Sequence, residues 1–305
     1  MNTPLDTEAG IPVRDSVTPL GGTGDGTGAG DGTGTGTGLP APTWHRARVL
    51  VSAPYGRGYH FLRLEAPSIA RTCQAGQFVM LTAARDGDDG PVLPRPMAVY
   101  GRNPGAGTID ILLGVVGDGT RRLASFRPGE RMLVVGPLGQ GFRLAARTRR
   151  VLLVGRGIGT CSLTTVAQEC AGTGVEIVAV ASGRSADRVV GADVYRAAGV
   201  TRLHEVTDDT GASDVARLRD MLTADLDQTP PQQIMTCGSE RLARLCEELG
   251  RRWSADVQVS LEAHMACGLG YCHGCATGTR SGPEESPLIC ADGPVFRLSR
   301  PDADR

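Results

Sequence analysis

Apolar positions along the chain fall into three textures. Between residues 44 and 145, short strand-like runs recur at 46–51, 60–64, 77–81, 108–113 and 131–135, with Gly, Pro and Asp clusters between them. Strands at that spacing, without helical periods, predict a small antiparallel barrel. At Arg149 the pattern changes, and Val151-Leu152-Leu153-Val154 is continuously apolar, as in a strand buried on both faces. Helical spacing at 162–171 and 214–226 then alternates with strand-like runs at 175–180, 201–206 and 233–236. Such alternation predicts an α/β unit around a parallel sheet, the layout of a nucleotide-binding domain over 146–250. Cysteine and glycine dominate the remainder, 251–305, which is expected to form a third, small unit. Residues 1–43 carry Gly-Thr repeats that bury too little apolar surface to offset backbone entropy, so they are expected to be a disordered arm outside the fold. The fold class is α/β plus β.

The chemistry is concentrated in the third texture. Cys267, Cys272 and Cys275 are followed by Cys290 after fourteen further residues, giving Cys-x4-Cys-x2-Cys…Cys. This is the ligand spacing of a plant-type [2Fe–2S] cluster, in which each iron takes two thiolates. Gly268, Gly270 and Gly274 lie between the ligands, where a wrapping loop needs positive φ and close backbone approach. Zinc also accepts four cysteines, but its usual arrangement is two Cys-x2-Cys pairs. His264 and His273 flank the ligands and are expected to be outer neighbours or surface residues, and Glu262 is read either as an anchor of the loop or as a solvated carboxylate.

Composition narrows the field without naming a reaction. Lys+Arg is 32 against Asp+Glu 33, a balance that calls for neither nucleic acid nor an anionic membrane surface. Nine cysteines without a signal peptide point to a reducing cytosol, and no apolar run approaches a membrane span, so a soluble cytoplasmic protein is expected. Cys73, Cys170 and Cys246 are expected to be small core residues. No acid–base pair or nucleophile–His arrangement stands out, and no catalytic side chain is assigned.

Gly155, Gly157 and Gly159 follow the first strand of the α/β half and precede a helix, an arrangement that offers N–H donors to a pyrophosphate. The spacing departs from Gly-x-Gly-x-x-Gly, because Thr160 falls where the third glycine would be; a tight strand–helix turn is the simpler alternative. Ser182-Gly183-Arg184 ends the next strand, where a ribose or 2′-phosphate lies in such domains, although an exposed Arg is usually just solvated. In the barrel, Arg95-Pro96-Met97-Ala98 opens a strand and Gly119-Thr120 opens a helix, and each is also an ordinary turn sequence.

In this order the motifs resemble the flavin-dependent ferredoxin reductase superfamily over residues 44–305, and most of all the iron–sulfur electron-transfer subunits of two-subunit, NAD-linked dihydroorotate dehydrogenases. The resemblance implies an FAD-binding barrel with flavin contacts at Arg95, Pro96, Met97 and Ala98, at Leu112, Leu113 and Gly114, and at Gly119 and Thr120. It also implies a nicotinamide dinucleotide on Gly155, Gly157 and Gly159, with Cys237 and Gly238 near the nicotinamide, and a [2Fe–2S] cluster on Cys267, Cys272, Cys275 and Cys290. Three departures stand out. Ala98 replaces the family's Ser, removing a hydrogen bond of about 1 kcal/mol. Arg156 occupies a glycine position, where it would attract or crowd a pyrophosphate, and Ser162 replaces a Pro that starts the helix, itself a good N-cap residue. Thr207-Asp208-Asp209-Thr210-Gly211 matches the family's Thr-Asp-Asp-Gly only loosely.

The function implied is electron transfer among NAD(P)H, FAD and the cluster, to or from a partner flavoprotein dehydrogenase in a hetero-oligomer, with docking near residues 268–274. The alternatives are a reductase component serving another biosynthetic oxidoreductase, and a non-catalytic redox-sensing or docking subunit.

Overall fold

The computed structural model describes residues 17–20, 42–85, 87, 88, 90, 93–278 and 285–299. The first half is an antiparallel sheet built from β2 (Thr43–Tyr55), β3 (Tyr59–Glu65), β4 (Phe78–Leu81), β5 (Arg95–Ala98), β6 (Gly101–Asn103), β7 (Thr108–Gly114) and β8 (Arg131–Leu138). Their order is β5-β4-β8-β2-β3-β7-β6. The two ends of that order are consecutive in sequence. Val99 N–H donates to Gln77 on one side and Tyr100 N–H to Asp110 on the other, so the chain closes the sheet into a barrel. Alternation sorts the side chains: Leu62 and Leu64 are fully buried while Arg63 and Glu65 face solvent. Val49, Val79, Ile109, Ile111 and Val134 share the interior with Ile69 of α1 (Pro67–Thr72) and Leu123 of α2 (Asp118–Ala124). Burying each such side chain stabilises by about 1.5–3 kcal/mol.

The second half alternates β9 (Arg150–Arg156), α3 (Cys161–Cys170), β10 (Glu176–Gly183), α4 (Ala192–Ala197), β11 (Arg202–Thr207), α5 (Val215–Leu226), β12 (Gln233–Cys237), α6 (Glu240–Trp253) and β13 (Asp256–Ser260). Strands β9 to β13 run parallel. The continuous apolar run of β9 is explained by helices on both faces of the sheet, and Val151, Leu152, Leu153 and Val154 are all essentially inaccessible. Asp214 caps α5, its carboxylate accepting from the N–H groups of Ala216 and Arg217 at 3.0 and 3.2 Å, a cap worth about 1 kcal/mol. The chain steps outward from β9 to β11 and then returns to β12 on the other side of β9. That reversal opens a crevice at the carboxyl ends of β9 and β12, where α/β sheets bind ligands.

Two elements extend this sheet beyond the sequence reading. β14 (Val295–Ser299) pairs antiparallel with β13, so the separation drawn at residue 250 runs through one continuous sheet. β1 (Thr18–Pro19) lies within the segment expected to be a disordered arm, yet it pairs with β14, and Val17 and Leu20 are buried. The Gly-Thr repeats themselves lie outside the described residues.

A polar clamp joins the halves. The Gln233 carboxamide accepts from Ala145 N–H and Thr148 hydroxyl at 2.8 and 2.7 Å, and donates to the Arg143 carbonyl at 2.9 Å. Gln258 accepts from Arg143 N–H at 2.9 Å and donates to its carbonyl at 2.8 Å. Both glutamines are buried, so the segment after β8 is held by hydrogen bonds that water cannot replace. Gln233→Leu leaves the Thr148 hydroxyl and the Ala145 N–H without that acceptor. It is expected to cost about 3 kcal/mol, read as a lower denaturant midpoint at unchanged slope.

Candidate functional site

The cysteine loop is the connection between β13 and β14. Leu261 N–H donates to Pro294 O, and Ile289 N–H to Cys275 O, so the two ends of the loop are laced together. Cys275 and Cys290 are buried, Cys267 is half-buried and Cys272 is exposed. Among the described residues, no three His, Cys, Asp or Glu side chains converge around a single ion. The thiols lie in pairs instead, Cys267 in hydrogen-bond contact with Cys272 and Cys290 with Cys275. Two thiols per pair and two pairs in one loop suit a two-iron centre.

Backbone donors complete the fit. Leu269 N–H points at Cys267 Sγ at 3.4 Å, Gly270 N–H at Cys290 Sγ at 3.2 Å, and Cys290 N–H at Cys275 Sγ at 3.4 Å. Burial would raise the Cys267 thiol, but the N–H groups of Leu269, Cys272 and Tyr271 and the Cys272 thiol draw it down to about 7. Cys290, desolvated and beside Cys275, is pushed up to about 12. Gly268 has φ +70°, and a Cβ there would lie 2.7 Å from Met80 Cγ, so only glycine lets the loop rest on β4. His264 and His273 are both exposed, and the His273 imidazole stands 3.6 Å from the Glu285 carboxylate.

The structure brings the predicted flavin residues together at one side of the barrel. A Cβ on Gly119 would lie 2.6 Å from Arg95 Cζ, so the Arg95 guanidinium rests directly on the backbone that opens α2. Arg95 is steadied by its own turn, with Nη1 donating to Leu93 O at 2.7 Å. Thr120 spends its hydroxyl locally, accepting from the N–H groups of Val116 and Gly117 at 3.0 Å and donating to Gly117 O. Met97 packs against the barrel core, and Leu113 is inside it, leaving only its main chain for a ligand. Leu112 instead joins Tyr100, Cys161 and Val190 between the halves, with Ala98, Tyr55 and Tyr59 against them. Gly114 ends β7 beside Tyr59.

The glycine loop sits at the crevice that the topology predicts. Gly155 is near the end of β9, and Gly157 and Gly159 lie in the tight turn that leads into α3. A Cβ on Gly159 would overlap the Gly238 backbone, which shows how closely the loop and the end of β12 approach. Cys237 is buried there, its thiol raised to about 12 by desolvation, then by the nearby Glu262 carboxylate, against hydrogen bonds to Ser162 and Ser260. Ser162 is not an N-cap. It is the second residue of α3, and its hydroxyl donates to Gly159 O at 3.0 Å.

Several pairings are not visible in sequence. Arg156 reaches across the sheet edge, donating to Ser182 Oγ at 3.0 Å and to both carboxylate oxygens of Asp208 at 3.0 and 2.5 Å. Arg184 is simply exposed. Tyr55 and Tyr100 of the barrel both donate to Asp193 Oδ1 on α4, at 3.0 and 3.2 Å. Glu262 occupies a recess: solvent reaches it, yet protein surrounds it closely enough for desolvation to raise its carboxyl pKa. The sequence signal for these pairings is absent because each joins residues far apart in the chain.

Comparison with known proteins agrees with this geometry. Residues 262–300 match the iron–sulfur cluster binding domain of dihydroorotate dehydrogenase B. The chain is 33% identical over 238 residues to the dihydroorotate dehydrogenase B (NAD(+)) electron transfer subunit of Bacillus caldolyticus, covering 77% of this chain and 90% of that protein. It is 28% identical over 253 residues to the corresponding subunit of Desulforamulus reducens, covering 82% and 95%. Among solved structures, the NADH-dependent reduced ferredoxin-NADP oxidoreductase superposes with a TM-score of 0.69 at 24% identity, covering 85% of this chain and 91% of that one. Phthalate dioxygenase reductase shares the fold with a TM-score of 0.54 at 14% identity, covering 73% and 70%. With its cysteine loop, its barrel and this length of shared sequence, the chain belongs to the family of dihydroorotate dehydrogenase B electron transfer subunits.

Proposed function

We propose that this chain is an oxidoreductase subunit that carries electrons between a nicotinamide dinucleotide and a dihydroorotate-oxidising partner, through FAD on the barrel and a [2Fe–2S] cluster on the cysteine loop. One observation carries the reading. Met80 of β4 is the cross-strand partner of Pro96 in the flavin motif, and the same Met80 receives Gly268 of the cysteine loop. Adjacent strands lie about 5 Å apart, so the cysteine loop rests on a side chain whose neighbouring strand carries the flavin motif.

When bound, FAD supplies exchange between a hydride and single electrons, and the cluster supplies one-electron transfer. The chain's own residues bind and orient. Cys267, Cys272, Cys275 and Cys290 would hold the cluster, with the N–H groups of Leu269, Gly270 and Cys290 turned toward sulfur. Arg95, beside the Gly119 backbone, would hold a flavin phosphate by charge, and the main chain of 112–114 would border the ring system. Gly155, Gly157, Gly159 and Gly238 shape the dinucleotide crevice. Tyr271 and Leu269 support partner docking at the cluster, being 84% and 43% exposed beside the ligands. A cytoplasmic location is supported by nine cysteines of which none is paired in a disulfide.

Anaerobic purification is expected to yield flavin absorption with about two irons and two sulfides per chain, and flavin bleaching by a reduced nicotinamide nucleotide; zinc without flavin would overturn the reading. Cys272→Ser is expected to lower iron and sulfide content while flavin content stays at the wild-type level. Gly119→Ala drives a Cβ into the Arg95 guanidinium and is expected to weaken FAD retention by about tenfold, measured as flavin released on dilution, with the cluster spectrum intact.

A further inference from the structure

The last strand of the nucleotide sheet is fastened by a piece of chain that precedes the barrel. β14 has β13 on one side, and on the other side, among the described residues, only β1 with its flanks Val17 and Leu20. Thr18 pairs with Arg297 and Pro19 with Phe296. Proline is tolerated there because an outermost strand has no further ladder to complete.

A ladder of two residues is weak, and the flanking side chains strengthen it. Val17 and Leu20 are three positions apart, so strand alternation sends them to opposite faces of the sheet. Val17, 8% exposed, belongs to the buried cluster that holds Cys275, Ile289, Cys290 and Phe296. Leu20, 6% exposed, belongs to the cluster of the other face, with Phe142, Val151 and Val295. The segment therefore grips β14 from both sides.

The grip is also tied to the clamp between the halves. The Leu20 carbonyl accepts from Arg143 Nη1 at 3.0 Å, and the main chain of Arg143 is the one held by Gln233 and Gln258. In the same stretch, Gln140 N–H donates to Gly293 O at 2.5 Å and Gln140 O accepts from Val295 N–H at 3.3 Å. Gly293 lies between Cys290 and the start of β14. The exit of the cysteine loop is thus bracketed by the junction segment and by residues 17–20.

We propose that residues 17–20 are an intramolecular clasp, which completes the sheet outside β14, keeps the exit of the cysteine loop closed and so slows loss of the cluster. Residues 21–41 join the clasp to the start of the barrel, and this covalent link makes the pairing intramolecular, at an effective concentration on the order of millimolar. Without the clasp, β14 is an exposed edge whose outer N–H and C=O groups face water and other strands. Cys275 and Cys290 share a buried cluster with Val17, so their seclusion from water depends on it. For cluster retention, the clasp rests on the electron-transfer reading above; for closure of β14 it does not.

Two measurements on the full-length chain test it: hydrogen exchange of the amides of residues 288–299, which needs no bound group, and iron release from the loaded chain to a ferrous chelator. Val17→Asp and, separately, Leu20→Asp place a carboxylate in an apolar cluster and are expected to raise both rates by about tenfold. Flavin content and circular dichroism are expected to stay at the wild-type level, and Val17→Ile is expected to keep the wild-type rates. A peptide of residues 14–23, supplied at about millimolar concentration, is expected to slow both rates in Val17→Asp. Rates unchanged in both Asp variants overturn the clasp. Faster exchange with unchanged iron release also overturns it, because β1 then fastens the sheet without protecting the cluster. Flavin lost together with iron would mean that the segment supports the whole fold rather than the loop, and has the same consequence. A chain that carries no iron, yet exchanges faster at 288–299 in the Asp variants, would defeat the electron-transfer reading and leave the clasp standing.

Discussion

The contact on which the site depends is the seating of Gly268 on Met80. A cluster loop is a poor folding unit by itself, since its N–H groups turn toward sulfur and its backbone visits positive φ at Gly268, Gly270 and His273. It becomes ordered because it is suspended between β13 and β14 and pressed on a barrel strand. Phe78, Met80 and Leu138 of the barrel belong to the same buried cluster as Cys275, Ile289, Cys290 and Phe296. The loop therefore has no independent core. Its position follows from the barrel and the parallel sheet being held in one arrangement, and the flavin motif, one strand from Met80, inherits that arrangement.

Polar contacts supply the rest of this registration. Glu169 of α3 accepts from Ala75 N–H at 2.9 Å and from Arg102 at 2.7 Å, and Thr164 donates to Tyr100 O at 2.6 Å. With Tyr55 and Tyr100 on Asp193, they tie the first two helices of the nucleotide half to the barrel. Hydrogen bonds have direction where apolar packing does not, so such an interface fixes an angle as well as a distance. An electron path between two sites needs that. The buried Gln233 and Gln258 act in the same way on the chain that crosses between the halves.

Much of this was legible in sequence because the signals are local. The Cys-x4-Cys-x2-Cys spacing, the apolar run of β9 and the helical period of α5 are each contained within a dozen or so residues. The helix α6 carries the same kind of local signal, since Leu242, Leu245, Cys246 and Leu249 recur at helical spacing and form its buried face. The strands β13 and β14 are only five residues each, and the cysteine loop between them masks their pairing. For the flavin residues, sequence gave positions without directions. Leu112 and Leu113 are neighbours in β7, but strand alternation sends one to the interface and the other into the barrel. Arg156 read as an intrusion into a glycine loop; its partners, 26 and 52 residues away, were beyond any local pattern.

Ala98 shows how a departure from the family pattern can be coherent. A serine hydroxyl there would stand at the edge of an apolar group made by Tyr100, Leu112, Cys161 and Val190. An unpartnered hydroxyl in such surroundings costs about 1–3 kcal/mol unless a ligand accepts from it. Cys161 lies in the same group, fully buried at the start of α3, its thiol pushed well up by desolvation and then by Cys237. Ala98 thus continues the apolar packing on the barrel side of the crevice. On the opposite side, Arg156 and Asp208 form an ion pair at the strand ends.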